Sequence, residues 1–484
     1  MEPREKIEPH VWRIVAVFSL GAIMSVLDAT IVNVALRDLS IELNAPLDQI
    51  QWVATGYLLA IAAVIPMAGW VTRRFGTRRV FIASIVLFTI GSLFCALAWS
   101  VESLIAFRIL QGIGGGLVMP VGQILVVKAA GPKNLSRVMA VTGIPMLAAP
   151  ILGPSLGGLL LEVASWHWIF LINVPIGVVT VFAATRLLPP NETEAAGRLD
   201  IGGFGLATAG AVAVTYGLAE SGNAGSLLAT SVLIPVLAGI ALLITFVLRS
   251  LRIENPLLDV RLFAARQFAA AAAVIFVLGA MLFGGMILLP LYFQTVRGLG
   301  PLETGLLLAP QGIGVAISMQ IGGRLTDIQG GGRTSLYGLI VTLIATVPFV
   351  LIADDTPYFA LEIAMLARGM GLGMMLMPAM TSAYRKLDQR KVNDAAAQLT
   401  VIQRLGGSMG TAVLTVVLQN QLSTATDPAG AADAFGGAFV VVAVLALLSI
   451  IPVVILALTE RGDYPGRRKR PANPLTPVDE ATMI

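Results

Sequence analysis

Fourteen apolar runs divide this sequence, and each is close to the ~20 residues that a helix needs to cross a bilayer. They fall roughly at 12–36, 50–70, 80–99, 103–127, 138–161, 166–187, 201–219, 226–248, 268–293, 303–323, 334–353, 357–382, 395–420 and 434–459. In hydrocarbon every backbone polar group must be satisfied within the segment, so runs of this length have to be helices. The gaps between them are short, apart from 249–267 and the tail after 460, and none can hold a separate catalytic domain. Only 12 % of the 484 residues are charged, against about 25 % in soluble domains. The expected fold class is therefore an all-α polytopic membrane protein, with the lipid bilayer as its first partner. The N-terminal run is too long for a signal peptide and lacks a small-residue cleavage site, so it reads as the first membrane helix.

Several function classes drop out. The net charge of +4 comes from basic residues spread over short loops, so no nucleic-acid partner is expected. Cys95 stands alone and cannot form an intramolecular disulfide. The chain has no Walker loop, metal-ligand cluster, nucleophile–base pair or GxSxG motif. An enzyme, a cofactor, a bound metal and energy from ATP on this chain are all unexpected.

Lys and Arg set the orientation. They crowd the N-terminal segment, alternate loops and the tail, while the opposite set of loops carries only Arg37 and Arg297. Both termini are expected to be cytoplasmic. The chain also repeats itself. Gly69-Trp-Val-Thr-Arg73-Arg74-Phe-Gly76 follows the second run, and Gly323-Arg-Leu-Thr-Asp327-Ile-Gln-Gly330 follows the tenth with the same glycine spacing. Arg108 and Met119-Pro120 in the fourth run answer to Arg368 and Met377-Pro378 in the twelfth. Helices 1–6 and 9–14 thus look like two copies of one unit with helices 7 and 8 inserted, and such halves around a central cavity are a transporter plan. The expected divisions are residues 1–190 and 261–460 for the six-helix halves, 191–260 for the two-helix linker, and 461–484 for a cytoplasmic tail expected to be disordered.

Within this frame Asp28 is the exceptional residue. An ionised carboxylate deep in a membrane helix costs several kcal/mol unless it is paired, protonated or hydrated. Gly21, Ser25, Asp28 and Val32 follow at helical spacing and form one small, polar stripe. Asp28 reads as a proton or substrate site, or as a carboxylate that only holds helices together. At about 1.5 Å per residue, Arg108 lies about 8 Å and Asp28 about 12 Å from the same membrane surface, near enough in depth to pair. Gln111 and Gly115 share the Arg108 face. Burial disfavours an ionised carboxylate and a nearby guanidinium favours it, so movement that alters either influence would drive proton uptake and release. A static anchor is the alternative for Arg108.

Other positions carry weaker signals. Gly153-Pro154-Ser155-Leu156-Gly157-Gly158, with Pro145 and Pro150, suits a bent, close-packed helix or ordinary tight packing. Trp166 and Trp168 read as an aromatic belt, with His167 solvated beside them. Glu162, Glu220, Asp354 and Asp355 read as solvated loop acids, and Glu303 and Glu362 as acids at helix ends. Arg404, followed by Gly406, Gly407 and Gly410, is expected to face the interior. Met374, Met375, Met377 and Met380 form either an adaptable cavity surface or plain packing.

These residues resemble a known family, the fourteen-helix drug:proton antiporters of the major facilitator superfamily, of QacA and EmrB type. The resemblance is carried by LDATIVNVAL at 27–36, Gly69–Arg79 (with Arg74, Gly76 and Arg78), Arg108-Ile-Leu-Gln111-Gly112, Gly153-Pro154 with Gly157-Gly158, WHWIFLINVPIG at 166–177, LPLYFQ at 289–294 and Gly305–Pro310. It implies the major facilitator fold and export of lipophilic or cationic small molecules in exchange for protons, across a prokaryotic inner membrane. Asp28 would then be the protonation site, Arg108 its coupled partner, and Asn33 and Arg404 candidate cavity residues. Three positions depart from the pattern: Ala140 and Ala149 replace glycines, and Arg73 stands where the first loop motif has an acid, so any latch there must draw on another acid. A proton-coupled importer or an uncoupled facilitator of a specific metabolite would share the architecture. A periplasmic adaptor is neither required nor excluded.

Overall fold

The computed structural model describes residues 7–190, 193 and 197–460. Inside its helices the side chains of Asn33, Arg37, 47–48, 132–133, 144–152, 154–155 and 301–302 are not described, so the expectations for Asn33, Pro145, Ala149, Pro150, Pro154 and Ser155 lie outside the described residues, as does the tail 461–484. The described residues form helices and no strand. In chain order these are α1 (Pro9–Glu42), α2 (Leu47–Val64), α3 (Ala68–Phe75), α4 (Thr77–Ala96), α5 (Val101–Val163), α6 (His167–Leu171) and α7 (Asn173–Leu187). Then follow α8 (Ile201–Ala224), α9 (Thr230–Arg252), α10 (Arg266–Leu291), α11 (Pro301–Gln329), α12 (Gly331–Val350), α13 (Tyr358–Arg385), α14 (Val392–Leu422), α15 (Pro428–Leu448) and α16 (Ile450–Thr459). Thirteen helical stretches among the described residues are long and apolar enough to cross a membrane. The expected fifth run, 138–161, is the second part of α5.

That helix departs from expectation. The sequence suggests a loop over 128–137, but helix continues from Val101 to Val163, broken in backbone angle only at Gly131 (φ 61, ψ 171). One residue in a region that glycine enters freely makes the turn a loop was expected to make.

The helices assemble as two bundles. In the first, α5 packs against α1, α2 and α4, and α7 against α1 and α4. In the second, α13 packs against α11, α12 and α10, and α14 against α10 and α15. The bundles meet where α5 contacts α11, α13 and α14, and where α3 contacts α14. α8 and α9 form a hairpin outside both; α8 lies against α2 and α14, while α9 is mostly exposed on its apolar surface. This is the arrangement of two six-helix halves with two inserted helices.

The repeated loop motif has a structural cause. Gly76 ends α3 and opens α4 at φ 83, ψ 144, and Gly330 ends α11 and opens α12 at φ 96, ψ 157. Side chains other than hydrogen are strained in that region by about 1–3 kcal/mol, so glycine recurs at the same step in each half. The first glycine of each motif faces the other half instead. A Cβ on Gly69 would stand 2.8 Å from an Asp394 oxygen, and one on Gly323 would stand 3.0 Å from the Ala140 Cβ. Gly330→Ala is expected to lower stability by about 1–3 kcal/mol. Gly205→Ala, where a Cβ meets nothing within 4 Å, should not. Thermal unfolding of the purified protein in detergent reads the difference.

Candidate functional site

Asp28 and Arg108 meet inside the first bundle. Arg108 Nη1 donates to Asp28 Oδ2 at 2.6 Å, and both side chains are fully buried. The sequence stripe on α1 faces as its spacing suggested: Ser25 Oγ donates to the Gly115 carbonyl at 3.5 Å, and Gly21 lies against Phe81, Ile85 and Val118. Two amides complete the carboxylate's shell. Gln111 Nε2 and Asn173 Nδ2 each donate to Asp28 Oδ1 at 2.9 Å. Gln111 Oε1 in turn accepts from Arg108 Nη1 at 2.8 Å, so Gln111 bridges both members of the pair.

The guanidinium is held as closely. Its Nε donates to the Val53 carbonyl at 3.2 Å, and its Cζ lies 3.9 Å from the Tyr57 ring centroid and 5.7 Å from that of Phe170. Aromatic faces stabilise a desolvated cation by about 2 kcal/mol or more. Tyr57 itself is tied to α1, donating to the Ser25 carbonyl at 3.3 Å. Ser92 supports Asn173, accepting from its Nδ2 at 3.1 Å and donating to the Phe170 carbonyl at 2.9 Å. Cys95 Sγ lies 3.5 Å from Gln111 Oε1. Six helices, α1, α2, α4, α5, α6 and α7, thus contribute to one cluster. Sequence reasoning had paired Asp28 with Arg108 by depth but had not singled out Tyr57, Ser92 and Asn173. A lone amide in the apolar run after Trp166 was the signal for Asn173; Tyr57 and Ser92 look like many other polar residues in membrane helices.

The small residues serve this cluster by proximity. A Cβ on Gly112 would stand 2.7 Å from the Tyr57 carbonyl, and one on Gly153 would stand 2.1 Å from Thr30 Oγ1. A Cβ on Gly157 would stand 2.9 Å from Ile31 Cγ1, and Gly158 is half-buried beside it. The glycines of that segment therefore let α5 press onto α1 two to three residues beyond Asp28.

At the loop-motif end, Arg73 forms an ion pair with Asp394 at the start of α14, 321 residues away. The acid missing from the first motif is thus supplied across the bundle boundary. Arg78 Nη2 donates to the Thr185 carbonyl. Arg74 is exposed, and Asp327 makes interactions of its own. Other expectations resolve simply. Trp166 is buried and stacked on His167, whose Nδ1 lies 3.2 Å from Ser165 Oγ, so only Trp168 is exposed like a belt residue. Met374, Met375, Met377 and Met380 are buried packing.

Between the bundles lies a cavity of about 60 Å³. Thr30 and Ala29 of α1, Gln123 of α5, Phe283 of α10, Gln311 of α11 and Arg404 of α14 are among its walls. A drug-sized ligand needs about 300–1,000 Å³, so the bundles stand nearly closed around it.

Two repeated bundles around a central cavity are the architecture of a membrane transporter. A family model described as Major Facilitator Superfamily matches residues 18–411. The chain is 38 % identical over 424 residues to a Multidrug resistance protein B homolog of Mycobacterium tuberculosis, covering 87 % of this chain and 78 % of that protein. It is 32 % identical over 467 residues to a Putative multidrug resistance protein MdtD of Cronobacter sakazakii, covering 94 % and 97 %. Among solved structures, the human organic anion transporter MFSD10 (TETRAN) matches at a TM-score of 0.65, 16 % identity and 93 % and 100 % coverage, a likeness of fold. The chain belongs to the major facilitator superfamily, as a multi-pass membrane transporter.

Removing one member of a buried ion pair leaves the other uncompensated and costs about 3–5 kcal/mol. Asp28→Asn and Arg108→Gln should each lower the unfolding temperature. The double variant should cost less than the two single losses added together, the signature of direct coupling, and thermal unfolding in detergent measures the cycle.

Proposed function

We propose that this protein exports lipophilic small molecules in exchange for protons, with Asp28 as the proton carrier and Arg108 as its coupled partner. The observation that carries the reading is the position of Asp28. It is fully buried on α1, bonded to Arg108, Gln111 and Asn173, while its neighbours Val26, Ala29 and Thr30 on the same helix line the central cavity. One rigid helix therefore carries both the proton site and part of the cargo wall. A cargo that shifts α1 changes the partners of Asp28, and a change of charge at Asp28 shifts the cargo wall.

The cluster can tolerate both charge states. When Asp28 is ionised, two amide donors and the guanidinium satisfy it. When it is protonated, Arg108 keeps Gln111 Oε1, the Val53 carbonyl and the Tyr57 face. The new hydroxyl needs an acceptor, and Asn173 Oδ1 is a buried oxygen without a hydrogen-bond partner among the described residues. Turning that amide over would present it to Asp28. In the proposed cycle a proton enters Asp28 from the outer side, the halves rearrange, and the proton leaves to the cytoplasm as cargo moves the other way.

The Arg73–Asp394 pair and the close contacts at Gly69 and Gly323 support a closed cytoplasmic end in this state. We place the protein in a prokaryotic inner membrane with both termini cytoplasmic, on the distribution of Lys and Arg. The halves are assigned to 1–190 and 261–460, with 191–260 as the linker. The relatives named multidrug resistance proteins support efflux of more than one compound.

The test uses inverted membrane vesicles carrying a proton gradient and a panel of fluorescent lipophilic compounds of both charges. Wild-type vesicles should accumulate at least one compound, an uncoupler should abolish the accumulation, and Asp28→Asn should lower it about tenfold or more, the loss expected for a positioned proton-transfer group. Accumulation that ignores the uncoupler, or is equal in Asp28→Asn, would sink the assignment and favour a facilitator or another proton site.

A further inference from the structure

The charge of the central cavity is one-sided. Arg404 is the charged side chain among its described lining residues, and no carboxylate lines it. Its guanidinium lies over Phe283, with Cζ 5.5 Å from the ring centroid, and makes no ion pair with a described residue. Asp28 is near in sequence to the lining but fully buried and committed to Arg108. A cation inside a membrane protein with no acid to neutralise it is costly and marks a functional position by default. Gln311 and Gln403 line the same cavity and make no side-chain hydrogen bond to another described residue. They add unspent donors next to the positive charge. Phe283, Met119 and Met286 supply apolar, adaptable surface.

We propose that the cavity selects amphipathic organic anions. An acidic head, carboxylate or sulfonate, would pair with Arg404 and accept from Gln311 and Gln403, while an apolar body lies against Phe283 and the two methionines. A lipophilic cation would meet a guanidinium and find no carboxylate in return, so like-charge contact excludes it. The inference rests on the efflux reading and names its cargo class; of the lipophilic and cationic compounds expected from the sequence, it keeps the first and replaces the second. Arg404 is a specificity-determining residue in this account and is not a member of the Asp28–Arg108 pair.

Two probes with one body and opposite heads test it: 1-pyrenebutyrate and 1-pyrenebutyl-trimethylammonium. Their binding to the purified full-length protein in lipid nanodiscs is followed by pyrene fluorescence, with empty nanodiscs subtracted and no proton gradient present. Wild type should bind the anion about tenfold or more tightly than the cation, and Arg404→Gln should lower anion affinity by about tenfold or more, the range for a hydrogen bond to a charged group. Arg404→Lys should retain part of that affinity, and neither substitution should weaken cation binding. Equal anion affinity in wild type and Arg404→Gln, tighter binding of the cation by wild type, or no anion binding at all would each overturn the proposal. The wild-type comparison stands even if a variant fails to fold. Because binding is read without a gradient, loss of proton coupling in the vesicle experiment leaves this result standing, and its failure leaves that one standing.

Discussion

The first bundle is organised by the cost of keeping Asp28 and Arg108 out of water. Each charge alone would lose several kcal/mol on burial, and their attraction offsets this only with good geometry and further hydrogen bonds. The structure provides both. Arg108 reaches Asp28 at 2.6 Å, Gln111 bridges the pair, and Asn173, Val53 and the Tyr57 ring complete it. Such a cluster fixes helix rotation, because a turn of α1 or α5 by one residue would strand a charge. It also explains the close approach at Gly112 and Gly153, where anything larger than hydrogen would push a helix off the cluster.

The second bundle repeats the scaffold without this chemistry. Arg368 is as buried as Arg108, yet it meets no carboxylate among the described residues. Its Nη2 lies 3.5 Å from the Met281 carbonyl and its Cζ 5.6 Å from the Phe439 ring. A Cβ on Gly285 would stand 2.4 Å from that Nη2, so a glycine faces this arginine where an aspartate faces the other. Another buried acid of the second bundle has a different role: Glu460 accepts from Ser382 Oγ at 2.6 Å and from the Gly332 backbone at 2.8 Å, tying α16 to α12 and α13. The first half holds a bonded ion pair at its centre, and the second holds an acid that braces its helix ends.

These differences bear on how the halves couple. The boundary between them combines a charged pair, Arg73 with Asp394, and glycine-mediated contact at Gly69 and Gly323. The pair's side chains are only 17 % and 12 % exposed, so it lies within the boundary rather than on the surface. Breaking such a pair would leave a mostly buried charge without its partner, so it ties α3 to α14 across the boundary.

Much of this was written in the sequence, because a bilayer leaves the chain few choices. An apolar run of about 20 residues must be a helix, and most Lys and Arg sit outside the runs. The repeat of Gly69–Gly76 at Gly323–Gly330 announced two copies, since both steps need backbone angles that glycine alone adopts without strain. Asp28 and Arg108 were legible as a pair because depth in a membrane helix can be counted in residues. What lay beyond reach depended on helix rotation and long-range packing. Nothing local distinguishes Tyr57, Ser92 and Asn173 from other polar residues in apolar runs. Asp394 could not be named as the partner of Arg73 across 321 residues. The loop expected over 128–137 became helix because Gly131 turns the chain by itself. The sequence by itself determined that the chain is a bundle of membrane helices in two copies with a costly charge pair at one depth. Only the tertiary structure decided which neutral side chains satisfy that pair, because this follows from how helices rotate against one another.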